Sequence, residues 1–470
     1  MPGREGTRPM SELLTHSLLH PRHGPRGRRI GRAPARLRTF GAAWIGKAPY
    51  ALLGSIILLA IPAFAAQSWP QWRGPNRDGH SPALKPLSKL SASIQPIWRR
   101  EIGPGFSSPV LSGDALIFLE ERDGKEVARR LNATDGRDVW SHPFGEAFGD
   151  EWGKGPRSTP FLDGDRVYVQ SCRGVFRCLS LSDGSEQWGV DYERDFGTVF
   201  LGMKVAEGAA PRRGHNGSGL VESDLVIIPA GSTNGATLAA LDKKTGAIRW
   251  KALKDETAYS SLIAATLAGR RQVIAFTGEA LASVDPANGS VLWRVPVKTA
   301  AKRHAVSPVL LGEDRIFVAS HSYGALCIKV EASGDKIIPR ELWRNPALKI
   351  NLSTPTAVGG YLYGLGAAPE FICLDGSSGK IVWAQPGFGQ GIKADYAATL
   401  AVGNQLLVLN ESGQLTMAAA NSYGFTSLGQ AQVCGKTWSH PAYADGRLYV
   451  RDGRSLQCFD LADTSASARQ

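Results

Sequence analysis

The sequence predicts an all-β fold, an eight-bladed β-propeller of four-stranded antiparallel blades, with the ring closed by an N-terminal strand that completes the last blade. Three observations predict it. A small-hydroxyl-Pro opening followed by an apolar strand recurs from residue 106 to the end. Several units share an Asp, a Gly turn and a Trp four residues after that Gly. The last unit stops after its third strand, while a spare strand stands upstream of the first.

The openings are Ser107-Ser108-Pro109-Val110, Ser158-Thr159-Pro160-Phe161, Gly217-Ser218-Gly219-Leu220, Ser260-Ser261-Leu262-Ile263, Val306-Ser307-Pro308-Val309, Ser353-Thr354-Pro355-Thr356, Ala397-Ala398-Thr399-Leu400 and Ser439-His440-Pro441-Ala442. Proline there argues for an edge facing the central channel, because it cannot donate to a ladder. The second strands, such as "DRVYVQS", "DRIFVAS" and "GRLYVRD", are rich in β-branched and aromatic residues bounded by turn chemistry. No long amphipathic helix interrupts them.

Third and fourth strands carry the sharper signature. "LAALDKKTGAIRW" (238–250), "LASVDPANGSVLW" (281–293) and "FICLDGSSGKIVW" (371–383) share it, Trp140, Trp188 and Trp343 end looser copies, and the seventh unit lacks the Trp. Gly suits a positive-φ turn, Asp can bond turn amides, and Trp brings a large apolar area to wedge between sheets. The last unit ends at "SLQCFDL" (455–461), and "QPIWRREI" (95–102) with Trp98 supplies its missing fourth strand.

Upstream lies a leader. Residues 1–66 combine a basic stretch with the uncharged run "APYALLGSIILLAIPAFAA" (48–66), ending in the small-x-small pattern Ala63-Phe64-Ala65. That pattern predicts a signal peptide, with an uncleaved signal anchor as the alternative; either sends the rest to the periplasm or the extracellular space. Residues 1–65 carry +8 of the chain's net +12, so the basic pI does not imply nucleic-acid binding. Residues 67–93 form an extended segment, 94–461 the propeller and 462–470 a tail; a monomer is expected. "WPQWRGPNRDG" (69–79) reads as a turning segment laid over the propeller and anchored by Trp69 and Trp72.

The six cysteines predict no disulfides. Cys178, Cys327, Cys373 and Cys458 fall at one place in the third strands of different blades, where Ala240 and Ser283 stand elsewhere. They read as small core residues. No HExxH, GxSxG or CxxCH occurs, and the nine histidines show no metal-ligand spacing.

What remains is the channel mouth, where the loops between blades should converge. The residues just before each first strand give the candidate ligand-binding rim: Arg157, His215, Asn216, Tyr259, Arg303, His304, Asn351, Lys393, Asp395 and Trp438, with Phe106 beside them. Aromatic and cationic side chains together suit a planar or anionic ligand. Two long inter-blade loops, 141–157 and 189–216, border it.

The Asp-x-x-x-Gly-x-x-x-Trp element resembles the tryptophan-docking motif of the PQQ-repeat family of eight-bladed propellers, and the opening "WPQWRGPNRDG" resembles that of exported PQQ-like propeller proteins. The resemblance implies one of two functions. Quinoprotein dehydrogenases of this fold hold PQQ and calcium at the channel mouth; the lipoprotein BamB binds no quinone and acts as a scaffold. No two cysteines are adjacent here and no Glu/Asn/Asp calcium set stands out, so the expectation is an exported, non-catalytic binding or scaffold propeller without a cofactor or catalytic residues. Its partner is a protein, an envelope polymer or a small anionic ligand. A PQQ-dependent oxidoreductase with Ca is the alternative.

Overall fold

The computed structural model describes residues 68–82, 87, 89–200, 202, 212–389 and 395–462. Eight four-stranded antiparallel sheets follow one another along the chain, and the eighth takes its outer strand from Trp98–Glu101. The blades open at Val110, Phe161, Leu220, Ile263, Val309, Thr356, Ala397 and Ala442. Among the described residues the only helix is Tyr192–Phe196, inside the long 189–216 loop. The other long loop departs from expectation, because Asp138–Glu146 continues as the outer strand of blade 1 and only the remainder is a loop. Residues 201 and 203–211 fall outside the described residues.

The repeated sequence element has a common geometry. In blades 2 to 6 the third-strand residue opposite the Trp is small: Cys178 faces Trp188, Ala240 faces Trp250, Ser283 faces Trp293, Cys327 faces Trp343 and Cys373 faces Trp383. A bulge follows immediately after each of these residues. Cys458 faces Trp98 in the same way across the ring closure. The thiol therefore gives a large ring room, and all six cysteines are free and buried.

Each ring then reaches the following blade. The Trp188 indole N–H donates to the Lys243 carbonyl at 3.2 Å, and a Cβ on Gly246 would stand 2.6 Å from its ring. Trp98, Trp140, Trp250 and Trp343 repeat the arrangement over Gly136, Gly184, Gly289 and Gly379. Trp293 is the exception and bonds Gln272 of its own blade at 2.7 Å. Blade 7 has Met417 facing Gly429, and the space over Gly429 is taken by the Leu90 carbonyl, 2.2 Å from where a Cβ would stand.

A belt of hydroxyls runs around the inner edge. The backbone N–H groups of Ser108, Thr159, Ser218, Ser261 and Ser307 donate in turn to the hydroxyls of Thr159, Ser218, Ser261, Ser307 and Thr354, each on the next blade, over 2.9–3.1 Å. His440 N–H donates to the Ser108 hydroxyl at 3.1 Å and joins blade 8 to blade 1. This is the physical reason for the recurring small-hydroxyl-Pro opening. An inner-strand edge has N–H groups with no ladder partner, and a short hydroxyl from the neighbouring blade satisfies them.

The segment 68–81 lies inside the channel rather than over the propeller, which corrects the expectation. Trp69 pairs with Leu111 of blade 1, the Leu162 N–H of blade 2 donates to the Pro70 carbonyl at 2.8 Å, and His80–Ser81 runs parallel to Ala401–Val402 of blade 7. Arg73 donates to the Thr354 and Pro355 carbonyls of blade 6 at 2.8 Å each. Arg77 donates to Gly219 of blade 3 and to Leu262 of blade 4, and both guanidiniums are buried. Among the described residues that follow, Leu87 and Leu90 lie against Gln405 and Leu428 of blade 7.

Candidate functional site

Bonded to the inner edges of blades 1, 2, 3, 4, 6 and 7, the segment 68–81 forms a plug across the channel. Above it lies a cavity of about 790 Å³, lined by residues from all eight inter-blade loops and floored by Trp72, His440 and the hydroxyl belt. Of the predicted rim, Arg157, Asn216, Tyr259, Arg303, Asn351, Asp395 and Trp438 line it together with Phe106. Lys393 lies outside the described residues.

His215 and His304 do not line the cavity, which corrects their assignment to the rim. His215 is buried edge-on against Tyr192, ring centroids 5.0 Å apart. His304 stacks on Phe276 at 4.2 Å and holds the Thr277 carbonyl at 2.7 Å through Nδ1. Each precedes its first strand as predicted, but the side chain turns into the packing instead of the channel. Burial depresses both imidazoles to about 4, so they stay neutral at physiological pH.

The lining also holds groups that sequence spacing did not single out: Trp72 on the plug, Trp152, Arg213, His321, Lys349 and His440. Arg213 lies three residues before its rim neighbour Asn216, at the end of the long 189–216 loop. Trp152 stood within a loop already marked as long. Trp72 could not be placed without the plug.

One wall is aromatic. Trp438 lies 5.9 Å from Phe106 and 5.2 Å from Trp152, centroid to centroid. Arg157 sits over the Phe106 ring at 5.1 Å and ion-pairs with Asp150 at 2.7 Å. Asp150, whose side chain is fully buried, also takes Arg213 Nε at 3.3 Å, and Glu151 holds the same guanidinium from outside. Arg303 and Lys349 have no ion pair among the described residues. Arg157 Nε, Arg213 Nη1, Arg303 Nε and Trp438 Nε1 have no protein hydrogen-bond partner, and neither do Asn216 Oδ1 and Tyr259 Oη on the same lining. The unmet donors include three guanidinium nitrogens, so the site favours an acceptor-rich, negatively charged group next to a flat apolar surface.

A resident quinone with calcium fits this donor set poorly. Calcium takes six to eight oxygens, as a rule with several carboxylates. The described lining brings one carboxylate, Asp395, and the amides of Asn216 and Asn351, against the cations of Arg157, Arg213, Arg303 and Lys349. Such a centre would have to draw its remaining oxygen ligands from elsewhere.

A family model described as outer membrane protein assembly factor BamB matches residues 122–385 and 339–466. The chain is 25% identical over 335 residues to the BamB of Burkholderia pseudomallei, covering 70% of this chain and 77% of that one. It is 29% identical over 119 residues to the BamB of Salmonella typhimurium, covering 22% of this chain and only 29% of that protein's length. The crystal structure of Moraxella catarrhalis BamB superimposes with a TM-score of 0.53 at 14% identity, covering 78% of this chain and 98% of that one. A quinohemoprotein alcohol dehydrogenase from Pseudomonas putida gives 0.54 at 12% identity, covering 85% and 81%. At such identities the two structures speak for the fold alone. The strand order, the blade-to-blade Trp contacts and the match across 122–466 together make this chain a member of the outer membrane protein assembly factor BamB family of PQQ-like propellers.

Proposed function

We propose that the protein is an exported, non-catalytic scaffold of the cell envelope that binds a protein partner at its channel mouth. The observation that carries this reading is the composition of the blind funnel. Trp152, Trp438, Phe106, Tyr259, Arg157, Arg213 and Arg303 are the residue types that concentrate binding energy at protein interfaces, gathered in one concave patch. Membership of the BamB family supports an assembly role. The leader, residues 1–66, supports export. Among the described residues no helix is long and apolar enough to cross a membrane.

The test is genetic. Cells lacking the protein should hold less folded β-barrel protein in the outer membrane, restored by the wild-type chain. Unchanged barrel levels would remove the assembly role. Quinone binding, the competing reading, is tested by adding PQQ and calcium to the purified protein. Tryptophan fluorescence should show no saturable quenching, and saturable calcium-dependent quenching would replace the scaffold reading.

A further inference from the structure

We infer that the funnel receives the tip of an acidic loop of the partner, its carboxylates meeting Arg303 and Lys349 and a neighbouring apolar residue packing on the Trp438–Trp152 wall. This rests on the scaffold reading and specifies the chemistry of its partner.

Three observations converge on it. First, the plug closes the channel, so an occupant enters and leaves by one mouth. Arg73 and Arg77 tie the plug to blades 6, 3 and 4, and Trp69 and His80 tie it to blades 1 and 7. A strand cannot thread through such a channel, whereas a loop tip fits a cavity of about 790 Å³.

Second, the charge is unevenly spent. Arg157 and Arg213 are already held by Asp150 and Glu151, which fixes them as part of the wall. Arg303 and Lys349, on the loops entering blades 5 and 6, have no ion pair among the described residues, so an incoming carboxylate displaces no internal partner. The burial of Arg303 Nε without an acceptor points the same way, since an unmet donor in a cavity favours a ligand oxygen.

Third, the aromatic wall is left partly uncovered. Trp152 is 45% exposed, unusual for so large an apolar ring, while Trp438 and Phe106 behind it are only partly buried. A residue packed against Trp152 would remove that surface from water and place the loop backbone over the mouth.

The test uses the purified protein and a fluorescein-labelled peptide of alternating Asp and Tyr, with an Asn-for-Asp version as control. Fluorescence anisotropy at low ionic strength should show saturable binding of the acidic peptide alone, weakening as salt is raised. Arg303→Gln should lose at least about tenfold in affinity with an unchanged melting temperature. Lys349→Gln, at an exposed position, repeats the test should the first variant fold poorly. Equal binding of the acidic and Asn peptides, or full affinity in both variants, overturns the inference. So does tighter binding of a uronic-acid oligosaccharide than of the peptide, which would make the occupant a glycan. If only the peptide arm fails while cells lacking the protein still lose outer-membrane barrels, the scaffold reading stands and its binding surface lies elsewhere.

Discussion

The Trp98 indole lies over Gly136, with its N–H donating 3.1 Å to the Ala133 carbonyl, so a residue from the front of the propeller is pinned between the last blade and the first. The same strand pairs with Ser455–Cys458, and Arg451 reaches from blade 8 to the Gly103 carbonyl at 3.0 Å. The ring is thus closed by hydrogen bonds and by one large buried ring, without a covalent link.

Trp98→Ala should therefore lower unfolding stability by about 3–5 kcal/mol, the usual cost of deleting a buried Trp. Val139→Ala, on an outer strand and largely exposed, should change it by less than about 0.5 kcal/mol. Denaturant titration separates the two. Equal small losses would mean that the closure strand frays in the native state.

Two glycines with the same φ of 73° distinguish conformation from contact. Gly269 has nothing within 4 Å of an added Cβ, while Gly246 has the Trp188 ring at 2.6 Å. Gly269→Ala should cost about 1 kcal/mol through backbone strain alone. Gly246→Ala should cost about 1–3 kcal/mol more, because the ring must also shift. Matched melting temperatures would show that the Trp yields freely.

Acid should destabilise the protein in a defined window. His215 and His304 titrate near 4 and His440 near 3 in the folded state, all through burial, against an ordinary value of about 6.5. Between those limits the unfolded chain binds more protons, so stability is full above about pH 6.5 and falls as pH drops towards 4. Buried Glu126 has the opposite sign. Burial raises it to about 7, the folded chain holds the extra proton, and stability rises as pH falls from 7 towards 4.5. His304→Phe should flatten the loss below pH 6.5, and Glu126→Gln should steepen it. Melting temperatures across pH 4–8 read both, and a profile unchanged by either variant would place the acid sensitivity in other groups.

The thiols should be silent until the protein unfolds. Burial pushes Cys178, Cys327 and Cys434 up to about 12 and Cys373 and Cys458 to about 11, and it raises Cys172 well above the ordinary thiol value. A thiol reagent at pH 8 should find none in the native protein and all six in guanidinium. Fast labelling of native protein would contradict the burial of these thiols.

Much of this was legible because a repeat states its rule several times. The hydroxyl openings, the small residue in the third strand and the spaced Trp mark equivalent positions, and the equivalence alone placed Cys178, Cys327, Cys373 and Cys458 in separate blades. Rim residues were legible to the same depth. Position before a first strand found Arg157, Asn216, Tyr259, Arg303, Asn351, Asp395 and Trp438. It could not tell that His215 and His304 turn away, because a side chain's direction depends on the φ, ψ of its loop and on what packs beside it, here Tyr192 and Phe276.

The sequence by itself determined the all-β class, the number of blades, where the blades open and the closing strand, because strand periodicity and turn chemistry are local and were written eight times. Only the tertiary structure decided where the single-copy parts go. "WPQWRGPNRDG" became a plug whose arginines find backbone carbonyls on blades 3, 4 and 6, and blade 7 forgoes its Trp where Leu90 crosses Gly429. Those partners lie a hundred to several hundred residues away along the chain. Their geometry exists only after the ring has closed, and no local pattern can carry it.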